Sequence, residues 1–434
     1  MTRDEIIELD RRYVWHPYTQ MADASASPPL VISRAQGARL YDVNGRSYLD
    51  ANASWWVALL GHRHPRLVAA LKRQADELCH VSFGGITHEP AARLASALTA
   101  IAPPGLTRVF YSDNGSTAIE AALKMCLKYW HQNGRPRRQR AVALGHAFHG
   151  ETLGVTALSG VDVFRRPFAG VLMDCVHVAT DEAGFERAFE LLESELRRGA
   201  DEIAACFVEP LIQGAGGMRF YSERFLVRLR ELTRELDIFL VVDEVFTGYG
   251  RTGTMWASEL AGIEPDILCT AKGFTGGILP MAATLVNERI FEGFLGEAGR
   301  ALHYGHTYAG HPLGAAVALE VLAVYEEERV VEQIPAKATK IRATFEALGQ
   351  CHGVRAARSL GMVGALNLEL GNASGYLGGA GWKVYERALE LGAVLRPLGD
   401  VVYIAPPVNI PDADLEALLA IVTQAVSEVA QAAG

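Results

Sequence analysis

The chain has no pair of cysteines in a C-x-x-C arrangement; its six cysteines (79, 126, 175, 206, 269 and 351) are scattered over 434 residues. That spacing in so long a chain predicts reduced, mostly buried thiols and a cytoplasmic location rather than a disulfide framework. No run of about 18 uninterrupted apolar residues occurs, which argues against a membrane span. The opening Met1-Thr2-Arg3-Asp4-Glu5 is charged and lacks the apolar stretch of a secretory signal. There is no Lys/Arg block, and 41 basic against 50 acidic residues give a net charge of −9. Both features argue against a nucleic-acid partner. Low-complexity tracts, fixed-period repeats and long Pro/Ser/Gly linkers are also missing. What remains is a soluble globular enzyme or binding protein of two or three domains, 50% apolar and able to bury a sizeable core. Its 43 glycines favour an α/β architecture rich in tight turns.

Short β-like runs, Leu30 to Ser33 and Ala38 to Val43, followed by a turn at Asn44-Gly45, predict a hairpin in an N-terminal segment, 1–60, expected to contribute to the small domain and the substrate pocket. From there to about 310 the pattern alternates between helix and buried strand. Thr107 to Tyr111 reads as a strand. Ser116 to Gln132 reads as a helix, with Ile119, Leu123, Cys126 and Trp130 along one face. Ala141 to Leu144, Ala204 to Val208 and Ile238 to Val242 are apolar runs suited to strands covered on both faces. The alternation predicts a large 61–310 domain with a mainly parallel sheet between helices, its ligand site at the carboxyl ends of the strands. Residues 311–434 are helix-rich, with strands near Val394 to Arg396 and Val401 to Ile404, and end in an amphipathic helix carrying Leu415, Leu418, Leu419 and Val422. They read as a smaller α+β domain.

Gly248-Tyr249-Gly250-Arg251-Thr252-Gly253 matches G-x-G-x-x-G, but Asp243 and Glu244 at the strand junction are badly placed against a pyrophosphate, and the next strand begins too soon. The histidine pairs 62/64, 146/149 and 303/306 lack the H-E-x-x-H spacing, so no metal is expected. Neither G-x-S-x-G nor a Walker A pattern is present. A different set carries chemistry. Leu240 to Asp243 is a buried strand ending in a carboxylate, and 29 residues after Asp243 a second apolar strand delivers Lys272. Two strand ends of one parallel sheet present both side chains to one edge, as a catalytic pair or as an ordinary ion pair. Asp113-Asn114-Gly115-Ser116-Thr117 lies between a strand and a helix start, where free N–H groups suit a phosphate or Ser116 is a plain N-cap. Phe148-His149-Gly150 offers a flat ring near the same edge, or core packing. Phosphate cradle, aromatic plane, carboxylate and amine together are what pyridoxal 5'-phosphate demands: the amine takes its aldehyde, and the carboxylate keeps its ring nitrogen protonated.

The order Asp113 to Ser116, Phe148 to Gly150, Glu209-Pro210, Asp243 to Val245, Gly248 to Gly253, Lys272-Gly273 and Gly305 to Tyr308 resembles the class III aminotransferases, over nearly the whole chain. The resemblance implies the fold of the fold-type I pyridoxal phosphate transferases. Trp15 to Met21, Ser54-Trp55-Trp56, Phe83 to His88 and Leu395 to Gly399 are similar to one branch of that class. That branch aminates 8-amino-7-oxononanoate in biotin biosynthesis, usually from S-adenosylmethionine and in some relatives from lysine. The resemblance implies Lys272 as Schiff-base lysine and proton shuttle, with Asp243 on the pyridinium and Phe148 and Val245 on the two ring faces. It gives Gly115, Ser116 and a second subunit's Thr307 to the phosphate, hence a homodimer with shared active sites. Tyr18, Trp55, Trp56, Phe148 and Gly305 would line the substrate pocket, and Arg396 would clamp a carboxylate. Phe148 replaces the commoner tyrosine, Glu151 the commoner aspartate, and Phe246 the glutamine that often reaches the cofactor's phenolic oxygen. Competing expectations are an ornithine, 4-aminobutyrate or amine transaminase, a nicotinamide oxidoreductase, and a non-catalytic binding protein.

Overall fold

Apolar runs bounded by polar or glycine residues become the strands that set the architecture. The computed structural model describes residues 1–24, 28–180, 185–370 and 378–432. In chain order the strands are β1 (Ile32–Gln36), β2 (Arg39–Asp42), β3 (Ser47–Asp50), β4 (Leu106–Ser112), β5 (Arg140–Leu144), β6 (Cys175–Val178), β7 (Ile203–Val208), β8 (Ile212–Gln213), β9 (Arg219–Phe220), β10 (Phe239–Asp243), β11 (Ile267–Thr270), β12 (Ala282–Asn287), β13 (Val354–Leu360), β14 (Val363–Leu368), β15 (Ala393–Val394) and β16 (Val401–Ile404).

Seven of them form the main sheet, in the order β4-β12-β11-β10-β7-β5-β6. β12 runs antiparallel to both of its neighbours, and the remaining pairs are parallel. Alternation along each strand feeds two cores. Ala141 and Ala143 pack with Val241 and the Gly115–Gln132 helix on one face, while Val142, Leu144 and Val242 face the opposite core. Both faces are covered, so the strands are apolar throughout. The register pairs Val208 with Val242 and Asp243 with Cys269, which brings the carboxyl ends of β7, β10 and β11 level.

The two ends of the chain meet. β1, β2 and β3 form an antiparallel sheet that β15 extends by pairing parallel to β3. The two runs read from the sequence pair as β1 and β2, and the Asn44-Gly45 turn leads from β2 into β3. β13, β14 and β16 form a separate antiparallel sheet against the Ile334–Leu348 helix, which also packs on the Asp412–Ala432 helix. β13 carries no legible apolar alternation because charged Arg355 and Arg358 interrupt it. The Pro312–Glu327 helix packs on the Pro65–Glu77 and Glu89–Ile101 helices. Among the described residues no helix is long and apolar enough to cross a membrane.

Candidate active site

The carboxyl ends of the parallel strands open into a cavity of about 650 Å³. Asp243, the last residue of β10, is 4% exposed and engaged through both oxygens. Oδ1 accepts the Val245 N–H at 3.0 Å, and Oδ2 accepts from His149 Nδ1 at 2.8 Å. Burial works against a charged imidazole at His149, but the hydrogen bond to Asp243 and the charges of Asp243 and Glu209 outweigh it and raise its pKa. Two residues beyond β11, Lys272 sits at φ 49°, a left-handed conformation costly for a side chain with a Cβ. Its Nζ lies 4.7 Å from the centre of the Trp56 ring. Desolvation lowers the lysine pKa, opposed by the charges of Asp243 and Glu209. A poorly solvated amine facing a cavity is suited to act as a nucleophile and proton carrier.

Next to this pair begins the Gly115–Gln132 helix. Its cap is Asn114 rather than Ser116: the Asn114 side chain accepts the Thr117 N–H at 3.1 Å, and Thr117 returns the bond to the Asn114 N–H. Ser116, one position inside the helix, accepts the Glu151 N–H through Oγ at 3.1 Å. The N–H groups of Gly115 and Ser116 have no intrahelical acceptor, as the first turn of any helix requires. A Cβ at Gly115 would stand 2.8 Å from Val245 Cγ1, and one at Gly150 would collide with Ser116 Oγ. Only glycine lets these segments approach so closely there. An anion site at a helix start, a buried carboxylate, an amine and the ring of Phe148 fit the donor set of a phosphorylated pyridine aldehyde.

The pocket's outer wall is aromatic. Four successive non-glycine residues, Ala53 to Trp56, lie in the left-handed region at φ 46, 45, 65 and 73°. At roughly 1–2 kcal/mol per residue this turn needs strong anchors. Ser54 Oγ donates to Asp50 at 2.7 Å, Trp56 Nε1 donates to Tyr403 Oη at 3.1 Å, and the buried Asn52 accepts the Arg396 N–H at 2.7 Å. The turn sends Trp56 inward against Phe246, ring centres 4.5 Å apart, and leaves Trp55 39% exposed toward Tyr18. The Arg396 guanidinium lies 5.0 Å from the ring centre of Trp55 and 5.4 Å from that of Trp382. Among the described residues Arg396 makes no ion pair; its Nη2 donates to the Tyr18 carbonyl at 3.5 Å, which leaves most of the planar fork to an incoming carboxylate.

Tyr18, Trp55, Trp56, Gly115, Ser116, Phe148, Asp243, Val245, Lys272 and Arg396 thus share one cavity. Gly305 and Thr307 do not line it within their own chain, although His306 between them holds Asp113 at 2.7 Å. Phe164 and Glu209 also line it and were not legible as site residues. Phe164, 5.3 Å from Phe148 and 5.9 Å from Tyr18, sits in a short irregular segment without a motif. Gly248 to Gly253 closes a tight turn, with Tyr249 and Arg251 fully buried and no helix start for a nucleotide. Among the described residues no three His, Cys, Asp or Glu side chains are grouped to hold a metal.

Residues 20–426 match the family model described as aminotransferase class III. The chain is 40% identical to the adenosylmethionine-8-amino-7-oxononanoate aminotransferase of Nitratidesulfovibrio vulgaris, over 98% of this chain and 82% of the relative. It is 38% identical to the enzyme of that name from Geobacter sulfurreducens, over 95% of each. The crystal structure of the Methanocaldococcus jannaschii protein of the same name superposes with a TM-score of 0.94 at 34% identity, covering 98% of this chain and 99% of the other. An omega transaminase from Pseudomonas jessenii in complex with PMP superposes at 0.93 with 30% identity, over 99% of each chain.

Proposed function

The chain belongs to the class III aminotransferases, enzymes of pyridoxal 5'-phosphate, and from that premise we propose that it converts 8-amino-7-oxononanoate to 7,8-diaminononanoate in biotin biosynthesis with S-adenosylmethionine as amino donor. The observation that carries this reading is the pairing of an aminotransferase centre, Lys272 beside Asp243, with an aromatic channel ending at Arg396. A long aliphatic substrate with a terminal carboxylate needs both apolar walls and a cationic stop.

When bound, the cofactor supplies a protonated ring that takes up the electron pair left as a proton leaves the carbon bearing the amino group. Asp243 would hold that ring nitrogen protonated, with His149 keeping the carboxylate aimed. Phe148 and Val245 would flank the ring, and the N–H groups of Gly115 and Ser116 would hold the phosphate. Lys272, the amine in the cavity, would hold the cofactor's aldehyde in the resting enzyme and, when free, would carry the proton at the reacting carbon through its Nζ. Its lowered pKa suits it to act as a base. Tyr18, Trp55 and Trp56 exclude water along the chain of the keto-acid, and Arg396 orients its carboxylate.

Thr307 and Gly305 serve the site of a second copy in this reading, supported by their absence from the cavity of their own chain. The enzyme is therefore a homodimer with shared sites, working in the cytoplasm. The pairing of β3 with β15 supports assigning residues 1–60 to the smaller unit formed by 311–434, around a 61–310 body. Lysine as donor is the second reading, favoured by Phe148 and Glu151 where the donor-facing hydroxyl and shorter acid are more common. Incubation of the purified enzyme with 8-amino-7-oxononanoate and either donor, with mass-spectrometric detection of 7,8-diaminononanoate, decides between them. Product with neither donor contradicts the function; a sedimentation mass of one chain contradicts the dimer.

A further inference from the structure

Glu209 follows β7 directly, lines the cavity, and is 5% exposed. The chemistry above gives it no part. Both carboxylate oxygens are nevertheless committed: Oε1 accepts the Phe148 N–H at 3.0 Å and Oε2 accepts the Gly214 N–H at 2.8 Å. Those donors belong to two different loops. One carries Phe148 and His149. The other, 214–218, is held from the C-terminal sheet by Arg358, whose Nη2 donates to Gly217 O at 2.8 Å and Nε to Met218 O at 2.5 Å. The loops press together closely enough that a Cβ at Gly216 would collide with His146 O. Two N–H donors converging on one side chain require an acceptor at both ends, which a carboxylate provides and an amide does not.

We propose that Glu209 is a positioning residue of the transaminase centre, tying the Phe148–His149 loop to the 214–218 loop and placing a negative charge in the cavity that holds Lys272. The proposal rests on Lys272 being the cofactor-bearing amine. Four elements bring charged groups to this cluster: His149 after β5, Glu209 after β7, Asp243 on β10 and Lys272 after β11, with Asp113, Glu151 and Arg396 further around the lining. The charge of Glu209 raises the proton affinity of Lys272, as does that of Asp243. Burial in turn pushes the Glu209 carboxyl up to about 7, an effect that His149 and the two N–H bonds oppose.

Two variants weigh the charge against the tether. Glu209→Gln removes the charge and one of the two acceptors; Glu209→Asp keeps the charge and both acceptors on a side chain one methylene short. Each is loaded with pyridoxal 5'-phosphate, checked for folding by far-ultraviolet circular dichroism, and titrated across the neutral and alkaline range while the visible cofactor band is followed. We expect Glu209→Gln to lower the midpoint of that band by about one pH unit. Glu209→Asp should hold the wild-type midpoint while changing the circular dichroism induced in the same band. A wild-type midpoint in Glu209→Gln overturns the charge role, and wild-type induced dichroism in Glu209→Asp overturns the tether. Lys272→Ala runs alongside: a visible band surviving there contradicts the lysine assignment rather than the role of Glu209.

Discussion

Asp243 and Arg396 do opposite jobs with similar means, and each makes a prediction at the scale of one residue. Asp243 is fixed by His149 and the Val245 N–H before any ligand arrives. Asp243→Asn preserves its size but removes the charge that favours a protonated ring nitrogen, so activity should fall by about 10- to 1000-fold, matching one to three lost pKa units. Steady-state rates at saturating cofactor check this. Arg396 is poised by Asn52 on its backbone and by two indoles on its guanidinium. Arg396→Ala should raise KM for the keto-acid by about 10- to 100-fold, the worth of a charge-assisted hydrogen bond. A donor half-reaction that loses as much would argue against the clamp. Both side chains stand out in the sequence, one at a strand end and one in a family motif. Glu209 stands there too, as Glu209-Pro210, but its two N–H partners lie 61 and 5 residues away, and only folding brings them to one carboxylate.

At the scale of the element, legibility follows the strength of the local pattern. β5, β7, β10 and β11 are plain as short apolar runs because both faces of the sheet are buried. The Gly115–Gln132 helix is plain from its 4-3-4 spacing, yet its start is ambiguous, because Asn114, Ser116 and Thr117 can all cap. The reciprocal bond between Asn114 and Thr117 decides for Asn114. Asn114→Ala should therefore cost about 1 kcal/mol. It should also loosen the anion site, read as a lower thermal midpoint with faster loss of cofactor on dialysis; Ser116→Ala should leave the midpoint nearer wild type. The left-handed turn at Ala53 to Trp56 carries no local signal, since nothing marks non-glycine residues for that region. It exists because tertiary bonds from Asp50, Tyr403 and Asn52 outweigh local preference.

Over the whole molecule, buried acids couple stability to pH. Glu244 is fully buried, accepts from Thr247 Oγ1, Ser258 Oγ and the Ala257 and Ser258 N–H groups, and is still pushed up to about 7 by desolvation. Its folded pKa stands above the ordinary 4.5. The folded state therefore binds the proton more tightly, and this contribution to stability is full below that ordinary value and lost as pH rises through about 7. Thermal midpoints measured from pH about 5 to about 8 should fall with pH in the wild type, and less in Glu244→Gln. An equal slope in both would remove Glu244 as the cause. The pairing of the N-terminal sheet with β15 was beyond the sequence pattern for a different reason: β3 and β15 lie more than 340 residues apart, and register between them is set only in three dimensions.

The account depends most on one covalent assignment. Borohydride reduction of the cofactor-loaded enzyme, followed by proteolysis and mass spectrometry, should find the phosphopyridoxyl group on the peptide containing Lys272, and Lys272→Ala should lose the label together with turnover. A label on any other lysine, or full activity without one at position 272, would contradict it.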